Sequence, residues 1–316
     1  MAQIAGDSGQ LIRVGVAGWS YPDWEGIVYP AGQQRKAARF DPLAFLVGFF
    51  DTIEINSTFY RPAKRSTTAS WVRRSESNAD FRFTMKLYKS FTHERAASKD
   101  DEKAVKDSLV PLAEAGKLGA VLLQFPWSFK NDPDSQSYLE SLLNRFRDYP
   151  LVTEVRHASW DQPEFYDYLR GRGVGFCNID QPRIGRSLGP SGMTTGPVGY
   201  VRLHGRNYQD WFREDAGRDA RYDYLYTDEE LDPWMEKISR IAEDSAETYV
   251  ITNNHFRGQA GVNALQIKAR LEKRKVAAPA SLIEAYPVLR TVASPRAEDA
   301  SASSASASSA QGRLFD

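Results

Sequence analysis

The four histidines of the chain all fall at, or just after, the end of a predicted buried strand. His157 and His255 follow two such strands, His204 ends a third, and His93 lies a few residues beyond a fourth. Histidine is a common general acid, general base and metal ligand. Random placement would rarely bring all four to one kind of position, so the pattern predicts a functional site at the carboxyl ends of the strands.

Charged and amide side chains occupy the same strand ends. Burying an unpaired charge costs several kcal/mol, so this many polar groups favour a functional pocket over an inert cluster. For any one residue the alternative is a structural role, such as a salt bridge between Glu154 and Arg202 inside a barrel. The residues in question are Glu54, Asn56, Lys86, Gln124, Glu154, Arg156, Asp180, Arg202, Arg206, Asn253 and Asn254.

Two kinds of catalysis fit these residue types. Glu54 and Glu154 are three strands apart, so they could face each other across a barrel mouth as an acid and a base. Histidines with Glu154 and Asp180 could instead hold one or two divalent metals that activate water, although no H-x-H or H-E-x-x-H spacing supports this. The cofactor stays open, with a divalent metal as the candidate. The predicted catalytic residues are Glu54, Lys86, Glu154, His157 and His204.

Cations and aromatic rings around the same opening indicate the class of ligand. Arginines here suit a carboxylate or phosphate, and rings on the loops suit stacking on bases or sugars. Lys86 would need a depressed pKa to act as a Schiff-base nucleophile, and an ion pair with a neighbouring glutamate is its preferred interpretation. We expect a polar or phosphate-bearing small molecule or a nucleic acid as ligand, with Gly205–Thr227 as a mobile lid. The predicted binding residues are Trp19, Tyr21, Asn56, His93, Gln124, Arg156, Asp180, Arg202, Arg206, Asn253, Asn254 and His255.

Eight short apolar runs, each bounded by turn signals, must position these residues. Runs that are apolar on both faces are typical of strands in a buried parallel sheet. They are Ile12–Ala17, Thr52–Ile55, Phe81–Leu87, Ala120–Phe125, Leu151–Val155, Val174–Ile179, Tyr200–Leu203 and Thr248–Thr252.

Segments with helical periodicity separate most of these runs. The alternation over roughly 260 residues predicts an α/β fold, a (β/α)8 TIM-like barrel. Gln181–Gly199 shows no helical pattern and is predicted to be a long loop. A doubly wound open sheet is disfavoured because no G-x-G-x-x-G follows the first strand. The predicted helices are Pro42–Phe50, Ser66–Asn78, Asp101–Ala115, Ser137–Asp148, Pro163–Arg172, Asp228–Asp244 and Gln259–Lys273.

Composition limits the class of protein and its surroundings. The 41 basic and 41 acidic residues cancel, so no overall field attracts nucleic acid or anionic membrane. Cys177 is the single cysteine, which excludes an intramolecular disulfide framework and favours a reducing compartment. No apolar run of about 18 residues appears, so we expect a soluble, cytoplasmic protein.

The chain is predicted to divide into four parts. Residues 1–10 form a flexible N-terminus and residues 11–275 form the barrel. Residues 276–310 are predicted to be a largely disordered linker, since prolines interrupt it and Ala300–Ala310 contains only Ala and Ser. Residues 311–316 return to large apolar side chains and are predicted to bind a partner.

Seven ordered motifs resemble those of the YecE-like family, domain of unknown function 72. The resemblance covers about Val14 to Leu271 and implies a TIM-like barrel with an unassigned pocket. By analogy of fold alone, such barrels are similar to those of the xylose-isomerase and endonuclease type, which use metals at the same face. The motifs are Ala17–Tyr21, Glu54–Tyr60, Phe83–Lys86 with Thr92 and His93, Leu123–Pro126, Glu154–His157, Arg202–Arg206, and Asn253–His255 with Asn263.

The C-terminus resembles the pentapeptide by which bacterial replication and repair proteins bind the sliding clamp. Gln311, Leu314 and Phe315 occupy the defining positions, whereas Gly312 and Arg313 depart from the commonest residues. A flexible tether that ends in two apolar anchors suits such a groove.

Two functional hypotheses follow. The first is an enzyme, a metal-assisted hydrolase or phosphoesterase with a link to DNA transactions. The alternative is a non-catalytic nucleic-acid-binding or recruitment protein tethered to the sliding clamp. Steep salt dependence of binding would favour the second, because phosphate contacts release counterions.

Overall fold

Eight parallel strands close into a barrel, and helices cover its outside. The computed structural model describes residues 11–32, 40–209, 213 and 220–296. The strands pair in chain order and β8 returns to β1, so the predicted TIM-like barrel is confirmed. The barrel strands are β1 Leu11–Ala17, β2 Thr52–Ile55, β3 Arg82–Lys86, β4 Leu118–Gln124, β5 Leu151–Glu154, β6 Gly175–Asp180, β7 Val198–Leu203 and β8 Glu247–Thr252.

The strands are buried because their side chains are covered on both faces. Every residue of β2, β5, β6 and β7 is buried, as a sheet with helices outside and packed side chains inside requires. Burial of continuous apolar runs supplies the main stabilising free energy. This scaffold fixes the carboxyl end of each strand and therefore the polar residues that follow it.

Local sequence signals set where the helices begin. Ser98 and Asp101 form a reciprocal capping box at the start of α4, and Thr227 and Glu230 do the same for α7. Asp132 caps α5, whose first residue is a proline. The helices are α1 Pro42–Val47, α2 Arg65–Arg74, α3 Lys89–Thr92, α4 Lys99–Glu114, α5 Pro133–Arg145, α6 Pro163–Gly171, α7 Asp228–Glu243, α8 Gln259–Glu272 and α9 Ala280–Ala285.

The segment between β6 and β7 contains no helix, as the sequence predicts. Residues 181–197 form an irregular loop that packs back on the barrel. Asn178 holds this loop, because its side-chain oxygen accepts hydrogen bonds from the hydroxyl of Ser191 and the backbone N–H of Met193. β6 and β7 still pair directly, so the barrel closes without a helix between these two strands.

The predicted linker is wrong for residues 276–296, which are folded. Strands β9 (Val276–Ala278) and β10 (Ala293–Pro295) pair in parallel, with α9 and a 3-10 turn between them. Leu282 and Leu289 are fully buried against the barrel. Pro279 directly precedes α9 and Pro287 begins the 3-10 turn, positions that suit proline, whereas Pro295 ends β10. The predicted flexible N-terminus, the Ala/Ser stretch and residues 311–316 lie outside the described residues.

Candidate functional site

A cavity of about 580 Å³ opens at the carboxyl ends of the strands. Loops after β1, β2, β3, β5 and β8, the last residues of β3 and β4, and the turn at Ala220–Tyr222 contribute to its wall. Three cations line it and, among the described residues, no carboxylate does. The lining residues are Gly18, Trp19, Ser20, Tyr21, Asn56, Ser57, Phe59, Tyr60, Lys86, His93, Gln124, Arg156, Arg221, Tyr222, Asn253 and His255.

Lys86, the last residue of β3, brings an amine to this cavity. Its Nζ lies 4.4 Å from the centre of the Phe59 ring. Burial lowers the pKa of Lys86 to about 7, with help from the positive charge of Arg202. The ion pair preferred from the sequence does not form, because no described carboxylate lies within 4.0 Å of Nζ. At neutral pH much of this amine is therefore uncharged.

Arg156, two residues beyond β5, supplies a second cation. Its Nε and Nη2 donate to Oε1 of Glu154, at 3.0 and 2.9 Å. In the described part of the chain Nη1 makes no hydrogen bond. One edge of the guanidinium is thus fixed by Glu154, and the rest of the group is available to an anion in the cavity.

Amides and stacked rings complete the wall. The side-chain oxygen of Asn56 is buried without a hydrogen-bond donor, which makes it an acceptor for a ligand. The ring of His255 stacks on Tyr21 at 4.3 Å between centres and lies 4.8 Å from Tyr222. Such stacked rings form a rigid, partly polar surface.

The cavity floor is a buried ionic network. Arg202 donates from Nη2 to Glu54 at 2.6 Å and from Nη1 to Glu154 at 2.5 Å, and all three side chains are fully buried. The hydroxyl of Tyr200 adds a hydrogen bond of 3.0 Å to Glu54. The predicted acid–base pair is therefore corrected, because the guanidinium of Arg202 stands between the two carboxylates and neither lines the cavity.

His204 also lies below the cavity wall. It is fully buried, and its Nε2 lies 3.4 Å from Arg202 Nη1 and 3.5 Å from Arg156 Nη2. Burial and the cation of Arg202 lower the pKa of His204 to about 3. Asn253, which does line the cavity, contacts its Nδ1 at 2.9 Å. His204 is therefore an uncharged support for the network rather than a residue on the predicted reacting surface.

His157 is placed away from the cavity, contrary to its predicted catalytic role. It is buried, and its Nδ1 accepts a hydrogen bond of 3.1 Å from the backbone of Ser159. This contact begins the 3-10 turn Ala158–Trp160. Its ring packs edge-on against Trp127 at 5.0 Å. His157 therefore shapes the loop after β5.

Asp180 and Arg206, both predicted to bind substrate, form a separate pair beside α7. Arg206 Nη2 and the indole of Trp234 each donate to Asp180 Oδ2 at 2.6 Å. The hydrogen bond to Asp180 raises the pKa of Arg206. Neither residue lines the cavity, so the pair ties the start of the loop after β7 to the barrel.

Asn254 likewise holds a loop in place. Its side-chain nitrogen donates to the carbonyl of Tyr224 and to Oδ1 of Asn263, each at 2.7 Å. Asn263 in turn contacts the backbone of Tyr226. These asparagines position the segment that carries Arg221 and Tyr222 over the cavity.

The candidate metal ligands do not come together. Within residues 11–32, 40–209 and 220–296, no three His, Cys, Asp or Glu side chains are grouped closely enough to hold a metal ion. Glu154 is committed to Arg156 and Arg202, and Asp180 to Arg206. This geometry gives the predicted metal centre no support.

Comparison with known proteins assigns the chain to a family. The profile described as "Protein of unknown function DUF72" matches residues 13–285. The chain belongs to the DUF72 family. The chain is also similar to "UPF0759 protein YunF" of Bacillus subtilis, with 30% identity over 277 residues that cover 83% of this chain and 95% of YunF.

Solved structures of DUF72 family proteins share the same barrel. A crystal structure from Thermotoga maritima matches with a TM-score of 0.71 and 36% identity, covering 83% of this chain and 99% of that one. One from Enterococcus faecalis also matches with a TM-score of 0.71, at 26% identity, covering 83% and 96%. The DUF72 fold is thus established for this chain.

Sequence reasoning missed several residues that line the DUF72 cavity. Arg221 stood within the predicted lid Gly205–Thr227, of which the structure describes residues 205–209, 213 and 220–227. The motif Glu54–Tyr60 also contains three lining residues that the sequence did not single out as ligand-binding, namely Ser57, Phe59 and Tyr60. Residues Gln311, Leu314 and Phe315 of the predicted partner peptide lie outside the described residues. No helix in the described ranges has the length and apolar character needed to cross a bilayer.

Proposed function

We propose that this DUF72 barrel is an enzyme that acts on a small anionic molecule, with Lys86 as its catalytic amine. The observation that carries the proposal is the composition of the cavity wall. Lys86, Arg156 and Arg221 face the cavity, and no carboxylate of the described chain faces them there. Such a wall attracts an anion, and it leaves the lysine amine without a competing partner.

The residues that line the cavity divide into those that would bind the substrate and one that would react with it. Arg156, held on one edge by Glu154, hydrogen-bonds a phosphate or carboxylate of the substrate. Lys86, with a pKa of about 7, supplies an amine lone pair near neutral pH, as a base or nucleophile requires. Asn56 and Gln124 contribute neutral hydrogen-bonding groups that orient the polar remainder of the substrate.

A metal-assisted hydrolase or phosphoesterase is the reaction class first predicted from the sequence. It requires a cluster of carboxylate and imidazole ligands open to substrate. The described carboxylates below the cavity are instead neutralised by arginines. The geometry therefore favours amine-based chemistry over the predicted hydrolysis. Recruitment to the sliding clamp through the C-terminal peptide stays a prediction.

The proposal is tested by a binding and activity screen with matched variants. We would titrate sugar phosphates and sugar acids into the wild type, Arg156→Met and the exposed control Lys103→Met. We expect binding that Arg156→Met weakens roughly 10- to 100-fold and that the control leaves unchanged. Lys86→Met should retain binding and lose turnover of any compound that is converted.

Borohydride separates the two roles of Lys86. A reduced adduct on Lys86, located by peptide mass spectrometry, would identify a nucleophile that forms an imine. Exchange of substrate hydrogen with deuterated solvent, without an adduct, would identify a base. The proposal fails if no anion in the screen binds, or if Lys86→Met turns over substrate as fast as the wild type.

A further inference from the structure

A second cavity, of about 530 Å³, lies next to the candidate active site. It is formed by the chain that follows β2 and by the first turns of α2. The described residues that line it include two cations and no carboxylate. They are Ser57, Arg61, Pro62, Ala63, Lys64, Thr67 and Trp71.

The two cavities share part of their walls. Ser57 lines both of them. Trp19 of the first cavity and Trp71 of the second meet edge to face, with ring centres 5.6 Å apart. One serine and one pair of rings therefore lie at the boundary between the second cavity and the cavity that holds Lys86.

The charges of the second cavity are uncompensated. Arg61 and Lys64 are both exposed, and neither forms an ion pair within the part of the chain that the structure describes. By contrast, Arg65, the next cation along the chain, pairs with Glu114. Free cations beside the hydroxyls of Ser57 and Thr67 are the groups that bind a phosphate or carboxylate.

We propose that the second cavity is a subsite for a second anionic group on the ligand of the first. The substrate would then be an elongated small molecule with an anionic group at each end, one held by Arg156 and the other by Arg61 and Lys64. This inference rests on the proposed function, because it assumes that an anion occupies the first cavity. It adds a length and a second charge to the substrate class.

The test uses probes of graded length, so that the spacing need not be known in advance. Alkanediol bisphosphates with three to eight carbons are compared with alkyl monophosphates of the same length, by calorimetric titration at fixed ionic strength. In the wild type, at least one bisphosphate should bind about ten times more tightly than its monophosphate, as a second charged contact would give.

Two double variants locate the effect. In Arg61→Ala/Lys64→Ala the preference for the bisphosphate should fall to no more than about twofold, while monophosphate affinity is retained. The control Lys99→Ala/Lys103→Ala removes two cations from α4, outside both cavities, and should keep the wild-type preference. Far-ultraviolet circular dichroism and thermal denaturation check that both variants fold.

Three outcomes would overturn the inference. Equal binding of bisphosphates and monophosphates at every length would show that no second subsite exists, although the proposed function would stand. An equal loss of affinity for both probe types in Arg61→Ala/Lys64→Ala would show that the two cations attract anions only through long-range electrostatics and do not contact the second phosphate. Failure of every probe to bind would overturn this inference together with the proposed function on which it rests.

Discussion

Arg202 and Glu154 form a charged hydrogen bond of 2.5 Å in the buried network at the cavity floor, and both side chains are fully buried. The second oxygen of the carboxylate holds Arg156, which reaches the cavity wall. Although burial raises the pKa of Glu154, the cations of Arg202 and Arg156 hold it well below its ordinary value. One buried pair thus supports both the barrel and the arginine proposed to bind the substrate.

Replacement of Arg202 by methionine should destabilise the protein strongly. It would leave Glu54 and Glu154 buried without their shared cation, and breaking a buried ion pair costs about 3–5 kcal/mol. Urea denaturation would measure the loss in free energy of unfolding. Arg170→Met, which removes an exposed ion pair, should cost less than about 1 kcal/mol. Equal free energies of unfolding for the two variants would contradict the prediction that the buried ion pairs of Arg202 stabilise the fold.

Replacement of Glu154 by glutamine should change the pKa of Lys86. Among its electrostatic neighbours, Glu154 raises that pKa, while Arg202 and Arg156 lower it. Removal of the carboxylate charge should therefore shift the pKa of Lys86 further down. Reductive ¹³C-methylation followed by NMR titration would measure the shift, and the exposed Lys103 is the internal control. An unchanged pKa would show that Lys86 does not sense the charge of Glu154, and a raised pKa would contradict the expected direction of the effect. Because Glu154 is fully buried and paired with Arg202, this variant should also lose stability.

Replacement of Lys86 by methionine should stabilise the protein in a pH-dependent manner. The folded pKa is about 7 against an ordinary value of 10.5, so between these values the unfolded chain binds the proton and the folded one does not. Below pH 7 the folded protein therefore bears the full cost of burying the charged amine of Lys86. The free energy of unfolding of the wild type should rise as the pH rises from 7 towards 10.5.

The expected gain of Lys86→Met is up to about 5 kcal/mol below pH 7, since each pKa unit corresponds to about 1.4 kcal/mol. The gain should shrink above pH 7 and disappear near pH 10. Chemical denaturation at a series of pH values measures the difference between variant and wild type. Lys103→Met, which removes an exposed lysine from α4, is the control. A gain that does not vary with pH would mean that Lys86 has an ordinary pKa in the folded protein.

The barrel was predictable because its strands are short apolar runs, and burial of such runs leaves few other arrangements. The position of the site was predictable for the same reason. Lys86 ends β3 and Arg156 comes two residues after β5, and the carboxyl ends of parallel strands lie at the same face of a barrel. The roles of Glu54 and Glu154 were not, because strand ends do not reveal which polar side chain points up and which points inward. That choice depends on Arg202, whose contacts with β2 and β5 are long-range in the sequence.

The C-terminal peptide offers a prediction that is independent of the cavity. Gln311, Leu314 and Phe315 resemble the residues by which bacterial proteins bind the sliding clamp, and two apolar side chains after an Ala/Ser stretch suit a groove on a partner. A fluorescent peptide that covers residues 311–316 should bind the clamp of the host with micromolar affinity. The same peptide with Leu314→Ala and Phe315→Ala should not bind, because the loss of both anchors removes most of the buried apolar area. Binding of both peptides alike would reduce the effect to non-specific attraction. Binding of neither would leave the proposed substrate as the ligand to pursue for this DUF72 barrel.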